Sequence, residues 1–409
     1  MADLQNKRVL LGVTGGIAAY KSADLARRLR DAGAEVRVVM TRAASEFITP
    51  LTLQAVSGHP VYQYLLDTDA EYAMGHIDLA RWADVVLVAP ASANFLAKLN
   101  QGRADDLLSA VCLATAAPVA VAPAMNQQMW ENPATQRNVF GLRQMAVHLF
   151  GPGTGDQACG ETGPGRMLEP LELVERTAGL FETGTLAGRT VLVTAGPTWE
   201  AIDPVRGITN RSSGKMGYAI AEAAVEAGAR VILVSGPTAL TPPQRVKTVP
   251  VSSARDMYKA VHEHITGVDI FIGVAAVADY RPVNTAAQKI KKDGESLTLE
   301  LVRNPDILAS VAALDDGPFS CGFAAETENL ETNARAKLEQ KGVDMIAANP
   351  VGGGRGFDSD DNALSLIDRH GRVDLEQQPK SRLARTLIQT IAERLHAKDT
   401  TKDTGRTYR

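Results

Sequence analysis

The 409-residue chain is 45% apolar and carries 43 basic and 47 acidic side chains; the net charge of −4, with basic residues scattered, excludes the electrostatic footprint of a nucleic-acid binder. The length accommodates two or three domains with cores of their own, and no apolar run approaches the ~20 residues of a membrane span. Three cysteines, Cys112, Cys159 and Cys321, contain no C-x-x-C pair, which excludes a disulfide framework or zinc ribbon and points to the reducing cytoplasm.

The polar Met1–Lys7 segment leads straight into a strand, unlike a signal peptide. Arg8–Val13 (RVLLGV) is a short apolar run, followed by the turn Thr14-Gly15-Gly16. Ile17–Arg30 has helical periodicity and stops at Gly33, a C′ glycine. Glu35–Met40 is the next strand, so the order is β-α-β and the strands are expected to be parallel. Val85–Ala89 and Val119–Ala122 read as further buried strands. The pattern restarts at Thr190–Thr194, with a helix over Tyr218–Ala227; the run from Ala227 to Ser235 echoes that from Ala32 to Met40. The expectation is an α/β fold: two tandem doubly wound, Rossmann-like domains with mainly parallel sheets, residues 1–189 and 190–409. The boundary is expected within Glu182–Arg189, and the polar Lys398–Arg409 tail is expected to fray.

Ligands of such sheets sit outside the carboxyl ends of the strands. In the first half these ends carry Thr14–Ala18, Thr41, the Pro90–Asn94 run with Ser92 and Asn94, and the run from Pro123 through Met125 and Asn126 to Trp130. Thr14-Gly15-Gly16-Ile17-Ala18 opens a helix whose free N–H groups suit a phosphate. Its spacing is not G-x-G-x-x-G, which speaks against a dinucleotide. Each polar residue alone fits a helix N-cap; together they favour a mononucleotide-sized ligand. Cys112 and Cys321 read as core residues. Cys159 sits in the glycine-dense Gly151–Met167 segment, which reads as a lid carrying a reactive group. His76 stands where a helix begins; it is either an exposed helix-start histidine or a base kept neutral by the helix N-terminus.

Gly-Gly-Ile-Ala, Met-Gly-His-Ile, Pro-Ala-Met-Asn-x-x-Met-Trp and the Ala158-Cys159-Gly160…Gly165-Arg166-Met167 run resemble the flavin-containing cysteine decarboxylases. The resemblance implies a non-covalent FMN that oxidises a cysteine thiol to a thioaldehyde, promotes loss of CO₂ and then returns the hydride. It implies His76 as base, Asn126 on the substrate carboxylate, and Cys159 as proton donor in the closing reduction. FMN would be held by Thr14, Gly15, Gly16, Ile17, Ala18, Thr41, Ser92, Asn94 and Met125.

In the second half a long insertion, Ala195–Gly217, ends in Ser-Ser-Gly-Lys-Met-Gly and lacks the Walker A spacing. Its Arg206, Asn210, Arg211 and Lys215 gather donors suited to a phosphorylated carboxylate, or form a solvated basic loop. Gly273–Tyr280 follows a buried strand with small residues that let a ligand approach the backbone, and Lys289 and Lys291 share a face of extended chain. These motifs, with Asn-Pro-Asp-Ile and Gly-Phe-Ala-Ala-Glu-Thr, resemble the phosphopantothenate–cysteine ligase domain over residues ~190 to ~395, judged by element order.

With the first half, the whole chain is similar to the bacterial bifunctional decarboxylase/ligase family of coenzyme A biosynthesis. That similarity implies CTP with Mg²⁺ and an acyl-cytidylate attacked by the amine of cysteine. The implied nucleotide residues are Gly273, Val274, Ala275, Asp279, Lys289, Pro305, Asp306, Ile307, Leu308, Phe323, Lys337 and Lys341. Asn210 and Lys289 would act on the acyl-cytidylate, and Arg206 and Asn210 on the substrate. Family members pair trimeric and dimeric units, so a homo-oligomer is expected, with small-molecule substrates and neither nucleic acid nor membrane as partner. Gly352–Gly354 matches nothing carried over and reads as a flexible loop. A flavin-binding regulator without catalysis would lack His76, Asn126 or Cys159. A two-domain NAD-dependent dehydrogenase would show G-x-G-x-x-G and an acidic residue where Met40-Thr41 stands.

Overall fold

The computed structural model describes residues 4–65, 75–158, 160–291, 297–326, 329–350 and 359–406. The chain divides into two compact units, Met1–Phe181 and Glu182–Arg409. Both are α/β.

The first unit runs β1 (Arg8–Val13), α1 (Lys21–Asp31), β2 (Glu35–Met40), α2 (Pro50–Ser57), β3 (Val61–Tyr62), α3 (His76–Trp82), β4 (Val85–Ala91), α4 (Ala93–Asn100), α5 (Leu107–Ala114), β5 (Val119–Pro123), α6 (Gln127–Glu131), α7 (Pro133–Gln144), β6 (His148–Leu149), β7 (Gly153–Asp156), β8 (Thr162–Arg166) and α8 (Pro170–Gly179). Six strands form a parallel sheet in the order β3-β2-β1-β4-β5-β6. The central strands are unbroken apolar runs because helices cover both faces; every residue of β4 is buried. Leu11, Val13 and Leu87 pack with Leu25 and Leu29 of α1 and Leu173 of α8. Leu10, Val86 and Val88 pack on the other side with Leu108 and Val111 of α5 and Leu142 of α7. Gly33 takes φ 97°, as the end of α1 requires.

The second unit runs β9 (Thr190–Ala195), β10 (Trp199–Ala201), β11 (Gly207–Thr209), α9 (Lys215–Glu226), β12 (Arg230–Ser235), β13 (Val246–Pro250), α10 (Ala254–His264), β14 (Ile270–Gly273), β15 (Tyr280–Pro282), β16 (Leu301–Arg303), α11 (Ile307–Ala312), β17 (Phe319–Glu326), α12 (Leu330–Lys341), β18 (Met345–Pro350), β19 (Asp361–Asp368), β20 (Gly371–Pro379) and α13 (Lys380–Arg406). Its sheet order is β13-β12-β9-β14-β17-β18-β19-β20, parallel through β18 and antiparallel thereafter. In both sheets the order reverses beside the first strand, between β1 and β4 and between β9 and β14; a crevice opens at such a switch point.

Three expectations are corrected. The Gly151–Met167 segment contains an antiparallel pair, β7–β8, in place of an open loop. The C-terminal tail is helical to Arg406, continuing a helix whose Leu383, Leu387, Ile391 and Leu395 are buried on one face against the core. The Ala195–Gly217 insertion is itself paired, as β10–β11. Among the described residues no helix is long and apolar enough to cross a membrane. Gly352–Gly354 and Cys159 lie outside the described residues.

Candidate active sites

In the first unit, the carboxyl ends of β1, β2 and β4 border a cavity of about 590 Å³. Thr14, Gly15, Thr41, Ser92 and Asn94 line it, together with Arg42, Lys98 and Met129. The Thr14 hydroxyl donates to the Pro90 carbonyl (2.9 Å) and accepts from the Ser92 amide (2.9 Å), tying the ends of β1 and β4 together. Ser92 in turn caps α4, its Oγ accepting from the Phe95 amide at 3.3 Å. A Cβ on Gly15 would stand 2.5 Å from that of Ala43, so only glycine permits the approach of these two strand-end loops. The Asp106 carboxylate (2.8 Å), helped by Asp105 (2.9 Å), holds the Lys98 ammonium above the usual lysine value despite partial desolvation. Hydroxyls, an amide and the Arg42 cation form a donor set that fits a phosphate-bearing mononucleotide such as FMN, while Lys98 is held by Asp106, which lines the same cavity with Glu46. Gly16, Ile17, Ala18 and Met125 do not line this cavity. Ile17, at the start of a short 3₁₀ turn, is 65% exposed.

Beside it, Asn126 is the N-cap of α6, its Oδ1 accepting from the Gln128 amide (2.8 Å). Its Nδ2 donates to Gln157 Oε1 (3.2 Å) and Glu161 Oε2 (2.7 Å), the two ends of the turn between β7 and β8. The Gln127 amide also donates to Gln157 Oε1 (3.0 Å), and the Met125 amide to the Gly165 carbonyl (2.9 Å). Asn126 is thereby fastened to residues on either side of Cys159 in the chain. His76 is half-buried as the first residue of α3, as expected, but is outside the cavity lining. Cys112 in α5 and Cys321 in β17 are buried, which pushes both thiols up to about 12.

In the second unit a cavity of about 560 Å³ lies at the ends of β9, β14 and β17. Ten of the twelve residues named for the nucleotide line it, all but Val274 and Lys289. The stretch after β14 is pinned by side chains. Thr194 Oγ1 accepts from the Val274 and Ala275 amides (3.2 and 3.3 Å), and Thr198 Oγ1 from the Ala278 amide (2.9 Å). Asn304 Nδ2 donates to the Ala278 carbonyl and Asn210 Nδ2 to the Ala276 carbonyl, both at 2.8 Å. The amides of Val274, Ala275 and Ala278 are thus engaged within the protein.

Charged groups around this cavity are partly paired. Asp306 caps α11 through the Ala309 amide (3.0 Å) and pairs with Lys341. Burial raises its carboxyl, but the Ala309 amide and Lys341 hold the net value below the usual range. Tyr280 stands across the β15–β16 pair from Arg303, and its nearby hydroxyl raises that guanidinium's hold on its proton. Thr194 and Arg303 were not singled out from sequence, and Asn304 only as the first residue of the Asn-Pro-Asp-Ile motif; for Thr194 the hydroxyl closing the apolar run of β9 was the available signal. Among the described residues no three His, Cys, Asp or Glu side chains gather to enclose a metal. Two carboxylates, Asp279 and Asp306, line the cavity, and this fits a Mg²⁺ carried mainly by phosphates.

Lys289 is exposed and outside this lining. Arg206, expected on the substrate, has its Nε (2.9 Å) and one Nη (2.6 Å) on Asp203, and that Nη also reaches the Ile290 carbonyl (2.7 Å). Lys215 is likewise engaged, with Asp360 at 2.8 Å.

A family model described as "Flavoprotein" matches residues 1–182, and one described as "DNA/pantothenate metabolism flavoprotein C-terminal domain" matches residues 186–395. A Vibrio cholerae protein named "Coenzyme A biosynthesis bifunctional protein CoaBC" is 55% identical over 399 residues, covering 97% of this chain and 100% of its own length. The Escherichia coli (strain K12) protein of that name is 52% identical over 403 residues, covering 97% and 99%. The chain belongs to this family. It is an enzyme of coenzyme A biosynthesis with a flavoprotein decarboxylase domain and a ligase domain. A crystal structure of the C-terminal domain of a protein of the same name is 44% identical, covering 53% of this chain and 100% of that one, with a TM-score of 0.46.

Proposed function

We propose that residues 190–409 ligate cysteine to 4′-phosphopantothenate with CTP and Mg²⁺, and that residues 1–189 decarboxylate the product to 4′-phosphopantetheine with FMN. The observation that supports this reading best is the second cavity: ten residues expected for a nucleotide converge at the switch point of a doubly wound sheet. In the ligase a substrate carboxylate oxygen attacks the α-phosphorus of CTP and pyrophosphate leaves. The cysteine amine then attacks the acyl carbon, CMP leaves, and an amide remains. Lys289 stabilises the charge that gathers at the phosphate. Asn210, tied to the loop after β14 through the Ala276 carbonyl, holds the acyl-cytidylate. Asp279 and Asp306 would hold a Mg²⁺ brought with the nucleotide, and the ion would offset the charge of the phosphates.

When bound, FMN supplies reversible two-electron redox chemistry. Thr14, Gly15, Thr41, Ser92 and Asn94 hold it, with Gly16, Ile17, Ala18 and Met125 at its margin. His76 serves as base, the Asn126 amide orients the substrate carboxylate, and Cys159 donates the proton of the closing step. The enzyme works in the cytoplasm as a homo-oligomer. Incubation of the yellow protein with phosphopantothenate, cysteine, CTP and Mg²⁺ is expected to give phosphopantetheine by mass, with FMN released on denaturation. A colourless protein that takes up no FMN, or a mixture in which no amide forms, would overturn the corresponding half.

A further inference from the structure

The hairpin β10–β11 turns through Asp203, whose side chain is fully buried. Its two oxygens have different partners. Oδ1 accepts from the Val205 and Arg206 amides, both at 2.8 Å, and so closes the turn. Oδ2 accepts from Arg206 Nε (2.9 Å) and Nη2 (2.6 Å) and from the amide of Ile290 (3.1 Å), far along the chain. Arg206 Nη2 also donates to the Ile290 carbonyl at 2.7 Å. Both polar groups of Ile290 are therefore held by this one pair of side chains. Four residues earlier, the Ala286 amide donates to the Ile202 carbonyl (3.0 Å), and Thr285 Oγ1 donates to the Ala201 carbonyl (3.2 Å). The segment 285–290 is thus fastened to the hairpin turn at both ends, and Lys289 stands inside it, next to the clasp.

A turn alone does not explain the charge. Oδ1 of an asparagine closes the same turn, and a buried carboxylate is tolerated only where donors compensate for lost water. Burial by itself would raise the Asp203 carboxyl, but the Arg206 guanidinium and the three amides reverse this and hold it far below the usual carboxylate range. The donors that require a charge are those tied to the distant segment.

We propose that Asp203 is a positioning residue of the ligase: with Arg206 it brackets the Ile290 peptide and so fixes Lys289 for the activation step. This rests on the assignment of Lys289 made above. It also gives Arg206 a part in the reaction without contact with the substrate.

Asp203→Asn keeps an oxygen for the turn and sets an amide group against three donors, Arg206 Nε and Nη2 and the Ile290 amide, so it releases the Ile290 side selectively. The full-length variants Asp203→Asn, Lys289→Gln and their combination are compared by pyrophosphate release from CTP. Because a misplacement of about 1 Å costs on the order of 100-fold, Asp203→Asn is expected to lower kcat by that order with the KM for CTP little changed. Combined with Lys289→Gln it adds nothing further, since both act through one group. Arg206→Lys, too short to reach Asp203 and the Ile290 carbonyl together, gives a smaller loss of the same kind and carries the test if Asp203→Asn does not fold. Wild-type kcat in both Asp203→Asn and Arg206→Lys, with Lys289→Gln inactive, overturns the clasp alone. Losses that multiply in the combined variant also overturn it, because they indicate a general structural defect. Full activity of Lys289→Gln overturns the underlying assignment instead, and the proposal with it.

Discussion

The two units share a strand order through their first five strands, yet they build their ligand-facing rims differently. In the first, the rim is made from helix starts and strand ends: Ser92 and Asn126 are N-caps, and Thr14 ties β1 to β4. In the second, the stretch after β14 is fixed by side chains remote in sequence, namely Thr194, Thr198, Asn210 and Asn304. Two added strand pairs, β10–β11 and β15–β16, flank it. A rim made of caps is rigid as soon as its helices form. A rim made of clips depends on several distant segments arriving together, so single substitutions there act on function through position.

The largest effect that tests this contrast separates the chemistries. His76→Asn is expected to abolish decarboxylation of phosphopantothenoylcysteine and leave amide formation intact; equal loss of both, measured on one preparation, would show that the units do not work independently. Next come the ligase half-reactions. Lys289→Gln removes a preorganised charge worth ~3 kcal/mol, about a hundredfold in rate, and is expected to depress pyrophosphate release. Asn210→Asp is expected to keep pyrophosphate release while amide formation falls, and parallel assays decide. The smallest effect is on stability. Thr194→Val removes the acceptor of two half-buried amides, Val274 and Ala275, at about 0.5–1.5 kcal/mol each, whereas Ser92→Ala removes a cap worth about 1 kcal/mol. Denaturant midpoints that place Ser92→Ala below Thr194→Val would reverse the comparison of caps and clips.

The central strands were legible to within one or two residues because parallel strands covered on both faces are continuous apolar runs, as RVLLGV and TVLVT are. The end of α1 was legible from Gly33. The β7–β8 pair was not, since Gly153–Asp156 and Thr162–Arg166 contain four glycines and a proline and no apolar alternation; the pair is held instead by Gln157 and Glu161 against Asn126, 31 and 35 residues away. Thr14, Thr41 and Ser92 could be found at strand ends by local pattern alone. The bond from Arg206 to the Ile290 carbonyl was hidden for the opposite reason: the two residues stand 84 apart in the chain, and no local signal reveals that they meet. Ten nucleotide residues were found through resemblance rather than periodicity, because their common location arises only when β9, β14 and β17 lie side by side.

The burial of Cys112 and Cys321 has a practical consequence. Thiol reagents attack the thiolate, and with both groups pushed up to about 12 almost none of that form exists at neutral pH. Neither Cys112 nor Cys321 therefore takes up a thiol-directed label while its unit is folded, so label found at Cys112 marks opening of the first unit and label at Cys321 opening of the second.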